Sequence, residues 1–199
     1  MNETRSPRLW PTLLPALAFT IAACTGAPEE APLKGASIGG PFTLTNQDGR
    51  QVSERDFAGK YRIMYFGFTH CPDVCPTDLA TIGQALRRFE KSDPGRAARV
   101  APIFVSVDPE RDTPAVLKEY VAAFHPRLVG LTGTPDQVAA MIKRYGAYGA
   151  REDDETGGGY TINHSRLAEL FGPDGKPIAL LPYEKGAEAV AAELERWVK

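Results

Sequence analysis

From residue 42 the chain reads FTLTNQDGRQVS, an alternation of apolar and polar positions broken at Asp48-Gly49, which predicts a β-hairpin. YRIMYFGF, Tyr61 to Phe68, is almost continuously apolar, as a strand covered on both faces should be. Between Thr77 and Phe89 the apolar residues Leu79, Ile82, Leu86 and Phe89 form a helical stripe. VAPIFVSVD, Val100 to Asp108, predicts a second buried strand, and Thr113-Pro114 opens a helix running to about Phe124. RLVGL is a short third strand, and Thr134-Pro135-Asp136 starts another helix through about Tyr145. The tail gives YTINHS, a loop or strand around Asp174-Gly175, PIALLPY, and a last helix from about Lys185.

Strands alternating with helices, then a hairpin and a final helix, describe an α/β sheet that is parallel first and antiparallel at its end. That order suits a thioredoxin-like fold, a mixed central sheet flanked by helices. With 199 residues, 43% apolar and 24% charged, the chain has enough material for one core. The formal net charge of −2, without a basic block, argues against nucleic acid as a partner. In open α/β sheets reactive groups gather beyond the carboxyl ends of the parallel strands, and Cys71 lies three residues past Phe68.

The N-terminal residues are of another kind. Arg5 and Arg8 precede a mostly apolar stretch from Leu9 to Ala23, the layout of a secretory signal. Its end, Ile21-Ala22-Ala23-Cys24, resembles a bacterial lipobox, in which Cys24 carries lipid and becomes the mature N-terminus; an uncleaved anchor helix is the alternative. Residues 1–23 are thus expected as a signal peptide, 24–36 as a flexible Pro-, Gly- and Ala-rich tether, and 37–199 as the folded domain. Either anchor puts that domain outside the cytoplasm, on the periplasmic side of a membrane.

If Cys24 carries lipid, Cys71 and Cys75 are the two thiols that remain, in an oxidising compartment. Near a helix N-terminus positions i and i+4 share a face, so both can meet one ion or each other, and the helix end favours thiolates. As a staple the pair achieves little, since closing so short a loop removes only roughly 2 kcal/mol of unfolded-state entropy against roughly 4 to 5 for a long one. A redox dithiol commonly has two intervening residues rather than three, although three does not forbid exchange. Two thiolates and one imidazole make a trigonal set that suits copper, whereas a closed zinc site wants four ligands.

Three histidines compete for the third place. His125, at a helix end before RLVGL, belongs to the opposite pole of the sheet and reads as a helix-terminal or surface residue. His70 adjoins Cys71 and tends to face away from it, though a turn can reorient it. His164 follows DDETGGGYTIN, where Gly157 to Gly159 let a loop swing toward the thiols. Residue chemistry alone leaves the choice open.

Taken together, YFGFTHCPDVCP, then VSVDPERDTP (Val105 to Pro114), then a histidine about ninety positions after the cysteines, resemble the Sco/SenC family of copper proteins that assist assembly of cytochrome c oxidase. The resemblance covers nearly all of the chain from Ser37. It implies a thioredoxin-like domain holding one copper, as Cu(I) or Cu(II), through Cys71, Cys75 and His164. It also implies delivery of that copper to the CuA centre of oxidase subunit II, reduction of the CuA cysteines by a redox-active Cys71/Cys75 dithiol, or both. A thiol reductant or another copper chaperone would then stand upstream. A thiol-disulfide oxidoreductase or a redox sensor on the same fold is the alternative. Asp73 and Asp108 match acidic residues near the family's site; otherwise they read as turn or cap residues. Two departures stand out: Asn163 replaces the aspartate usual before the histidine, and RLAELFGPDG puts Arg166 and Glu169 in a segment that the family runs apolar.

Overall fold

The computed structural model describes Met1 and residues 29–153 and 159–199. Residues 2–23 of the expected signal, with Cys24, lie outside the described residues. No helix among the described residues is long and apolar enough to cross a membrane.

The predicted hairpin is β1 (Thr43–Asn46) and β2 (Gln51–Ser53). Its turn is built by Asn46, whose Oδ1 accepts the amides of Asp48 and Arg50, and by Gly49 at φ +75°. The apolar run forms β3 (Tyr61–Gly67), buried at all seven positions, and β4 (Val100–Ser106) is buried throughout as well. Three short strands complete the main sheet: β5 (Val129–Thr132), β8 (Ala168–Phe171) and β9 (Pro177–Leu180). The sheet order is β2-β1-β5-β4-β3-β8-β9. Its centre, β3, β4 and β5, is parallel, and the flanking strands are antiparallel.

Between the strands run α1 (Val74–Ser92), the short α2 (Pro94–Ala97), α3 (Pro114–Ala122), α4 (Pro135–Arg144) and, last, α5 (Ala187–Trp197). Thr113 and Thr134 cap α3 and α4 by accepting the amides of Val116 and Gln137, each with proline at the first helical position. Tyr65, on one face of β3, meets Asp78 of α1 and the ring of Tyr183 before α5. On the opposite face Phe66 meets Tyr145, just past α4. The architecture is therefore the mixed sheet between helical layers expected from the pattern.

Three boundaries differ in ways that matter. The first helix starts at Val74, not Thr77, so Cys75 lies inside it and heads its buried stripe of Leu79, Ile82, Leu86 and Phe89. The last helix begins at Ala187, after a 3-10 turn at Tyr183–Lys185 and Gly186 at φ +90°. Before YTINH stands an unforeseen strand, β6 (Gly149–Asp153), which pairs with β7 (Tyr160–His164) as a separate two-stranded sheet. Of the stretch expected as a tether, residues 29–36 are described, and Leu33 donates its amide to Ile178 O at 2.9 Å.

Candidate metal centre

Cys71 follows the carboxyl end of β3 and bonds its amide to Phe68 O at 3.2 Å. The Cys75 amide, at the start of α1, donates to Cys71 Sγ at 3.4 Å, so one thiol caps the helix that carries the other. The approach holds because Asp112, fully buried in the turn after β4, accepts the Thr69 amide (3.0 Å), the Thr69 hydroxyl (2.6 Å) and the Ser106 hydroxyl (2.6 Å). Burial raises the Asp112 carboxyl despite those donors.

His164 arrives on β7, where it pairs in register with Gly149 of β6. Its Nδ1 lies 3.0 Å from Ser165 O, an atom that can only accept, so the neutral ring carries its proton on Nδ1 and its lone pair on Nε2. Nε2 lies 3.3 Å from Cys75 Sγ, and Phe68 packs edge-on to the imidazole at 5.6 Å. Donor atoms of Cys71, Cys75 and His164 all fall within 4.8 Å of one another, and this is the one such group of three or more among the described residues. Both cysteines are unbridged and buried. Two sulfurs and one imidazole nitrogen form a soft, three-donor set of the kind copper accepts.

Burial sets the state of the metal-free Cys75 thiol more than the helix end does. Cys75 is fully enclosed, and its thiol is pushed up to about 12, chiefly by desolvation and against the Phe68 backbone, which favours the thiolate. The expected thiolate is therefore not the resting form of Cys75; a metal would have to displace its proton.

The other histidines go elsewhere. His70 is half-exposed, with Nδ1 3.1 Å from Thr69 Oγ1, and lies outside the three-donor group. His125 follows the end of α3 as expected but is buried rather than on the surface, and burial lowers its imidazole. It accepts the Arg127 amide on Nδ1, and the Arg127 guanidinium reaches Val100 O, at the strand ends away from the thiols.

Asp73 stands at the N-cap of α1, exposed, without a side-chain cap bond. Asp108 is buried, pairs with Arg111 and accepts the Tyr160 hydroxyl at 2.8 Å. The Tyr160 ring lies between Arg111 and Arg151, each guanidinium carbon 3.7 Å from its centroid, so Asp108 and its neighbours dock the strand that carries His164. Asn163 donates to Glu152 across the same hairpin at 3.0 Å. Sequence reasoning missed Asp78, which is buried and bonded to both Tyr65 and Arg166. The available signal was a carboxylate three positions after Cys75, on the apolar face of the helix.

The SCO1/SenC family profile matches residues 30–199. The chain belongs to the SCO1/SenC family. Among curated relatives it is 42% identical over 149 residues to the mitochondrial SCO1 homolog 1 of Arabidopsis thaliana, covering 74% of this chain and 43% of that protein. The chain spans about half the length of the curated relatives it matches. A solved structure of Bradyrhizobium japonicum ScoI with copper bound superposes with a TM-score of 0.73 at 42% identity, over 80% of this chain and 99% of that one. A SCO1/SenC family lipoprotein from Bacillus anthracis gives a TM-score of 0.65 at 25% identity, over 81% and 95% of the two chains. The thioredoxin domain of a thiol-disulfide oxidoreductase from Bacteroides vulgatus, only 18% identical, shares the fold at a TM-score of 0.56 over 82% and 96%. The fold of this SCO1/SenC protein is thus thioredoxin-like.

Proposed function

We propose that this protein is a copper metallochaperone, in which Cys71, Cys75 and His164 hold one copper ion for delivery to the CuA centre of cytochrome c oxidase subunit II. The observation that carries the reading is the convergence of two thiols and a lone-pair imidazole nitrogen within 4.8 Å. A structural disulfide would have no use for His164, and a closed zinc site would need a fourth donor. Two sulfurs suit Cu(I), and the imidazole extends the set to Cu(II). Loading releases at least the Cys75 proton, so transfer to an acceptor can be driven by the acceptor's ligands and by reprotonation of Cys75.

The same two thiols, on a thioredoxin-like framework, support a second activity: reduction of the CuA cysteines before loading. The Cys71 sulfur, the less enclosed of the two, attacks the CuA disulfide and forms a mixed disulfide; Cys75 then resolves it, releasing the reduced CuA pair and leaving Cys71–Cys75 oxidised. A thiol reductant, itself oxidised to a disulfide, restores the Cys71/Cys75 dithiol, and another copper chaperone reloads it. A lipid on Cys24 would hold the domain on the outer side of a membrane, a reading that rests on the lipobox-like sequence.

The experiment is a paired assay with one oxidase CuA domain. Copper transfer is followed by visible absorption and disulfide reduction by thiol alkylation. His164→Ala should lose most copper transfer and keep thiol exchange, and Cys71→Ser should lose both. Undiminished copper transfer by His164→Ala would overturn the three-donor chaperone reading.

A further inference from the structure

Arg166 lies in the three-residue link between β7, which ends at His164, and β8, which begins at Ala168. Its guanidinium grips Asp78 as a fork, Nη2 to Oδ1 at 2.8 Å and Nε to Oδ2 at 3.2 Å. Asp78 is buried on α1 three positions after Cys75, and Tyr65 donates its hydroxyl to the same carboxylate at 2.8 Å. The Tyr183 hydroxyl donates to the Arg166 carbonyl at 2.6 Å, so the link is held by main chain and side chain together. The β6–β7 hairpin is a sheet of its own, docked at its Tyr160 end through Asp108 and Arg111, and the link is what joins its His164 end to the main sheet. Arg166 therefore ties the strand that carries His164 to the helix that carries Cys75.

A half-exposed arginine on a solvated carboxylate would contribute little, but Asp78 is out of water and its charge is balanced by this fork. From this geometry we propose that the Arg166–Asp78 pair is a clasp that positions His164 against Cys75, so that Arg166 sets how much of the population has its third donor in place without itself touching the metal. The inference rests on the reading of His164 as a copper ligand. Without the clasp the two thiols stay together, because Asp112 and the α1 terminus fix them independently. The imidazole is then in place only part of the time, and the His164-dependent share of the affinity falls by that fraction.

The test uses the full chain as wild type, Arg166→Met, Arg166→Lys, His164→Ala and the His164→Ala/Arg166→Met double variant. Because Arg166→Met leaves Asp78 buried and uncompensated, Asp78→Asn/Arg166→Met is included, which removes both charges. Copper affinity is read by chelator competition, and the ring nitrogen resonances of His164 are read in metal-free, reduced protein. Arg166→Met and the charge-free pair should weaken Cu(II) binding by about tenfold and shift the His164 ring signals toward tautomer averaging. Arg166→Lys should recover part of both. In the His164→Ala background, Arg166→Met should change affinity no further. Wild-type affinity and ring signals in Arg166→Met, or an equal loss in both backgrounds, would overturn the clasp. If instead His164→Ala binds copper as well as wild type, the ligand reading falls, and the metal-free ring signals alone then decide whether Arg166 positions His164.

Discussion

Gly67 and Cys75 approach so closely that a Cβ on Gly67 would stand 2.6 Å from Cys75 Sγ, with Phe104 and Tyr65 ring atoms at 3.1 Å. The last residue of β3 must therefore be glycine for the thiol to sit where it does, although nothing in its backbone dihedrals demands one. Gly67→Ala should push Cys75 away from His164 and cost about 1–3 kcal/mol through overpacking. Thermal unfolding and chelator competition on the same variant check both halves. Copper affinity should fall more than the lost stability alone explains.

The two thiols should differ in reactivity. Cys75 is fully enclosed and held protonated by burial, with its thiol pushed up to about 12, whereas Cys71 retains some exposure. Brief alkylation of metal-free, reduced protein at neutral pH should modify Cys71 and spare Cys75, and denaturant should make both react. Peptide mapping of the labelled sites reads the result. Equal labelling of the two in native protein would contradict the enclosed site.

A pH dependence of stability should arise at Glu169, far from any need of the donors. It lies on β8 opposite Met64, buried, with Oε2 lacking a hydrogen-bond partner among the described residues, and burial pushes its carboxyl up to about 8. Below its ordinary value of 4.5 the group is protonated in both folded and unfolded chains, and stability is unaffected. Between about 4.5 and 8 the unfolded chain gives up this proton while the folded one keeps it, so stability falls as pH rises, then levels off. The loss is on the order of 5 kcal/mol. Glu169→Gln should match wild type near pH 5, exceed it near pH 8, and show a flatter profile in denaturant titrations at the two pH values.

The buried strands and helices were legible because continuous apolar runs and a stripe at helical spacing survive in any context, as β3, β4 and α1 do. The strand β6 was not: GARED is half-buried at Gly149 and Ala150 and exposed beyond, so no face announces itself, and its pairing with β7 depends on a partner reached across the glycine-rich connection. The cysteine pair and its place beyond β3 could be read directly. His164 could not be chosen over His70 from residue types, since what selects it is a hairpin docked through Tyr160, Asp108 and Arg111. Arg166 and Glu169 stood out together as charges in an apolar setting, yet one is paired with Asp78 and the other is buried without a charged partner among the described residues. Sequence gives the charge, and only packing decides whether it is matched.

The central claim is that two thiols and one imidazole hold copper together. It is tested most directly by titrating Cu(I) and Cu(II) against a chelator in reduced wild type, oxidised wild type and reduced His164→Ala. Reduced wild type should bind one ion, and oxidation to the Cys71–Cys75 disulfide should abolish binding. His164→Ala should weaken it by at least about 10–100-fold, more for Cu(II) than for Cu(I), since losing a donor costs no less than losing a group that orients one. Equal affinity in the reduced and oxidised proteins, or in wild type and His164→Ala, would contradict the account.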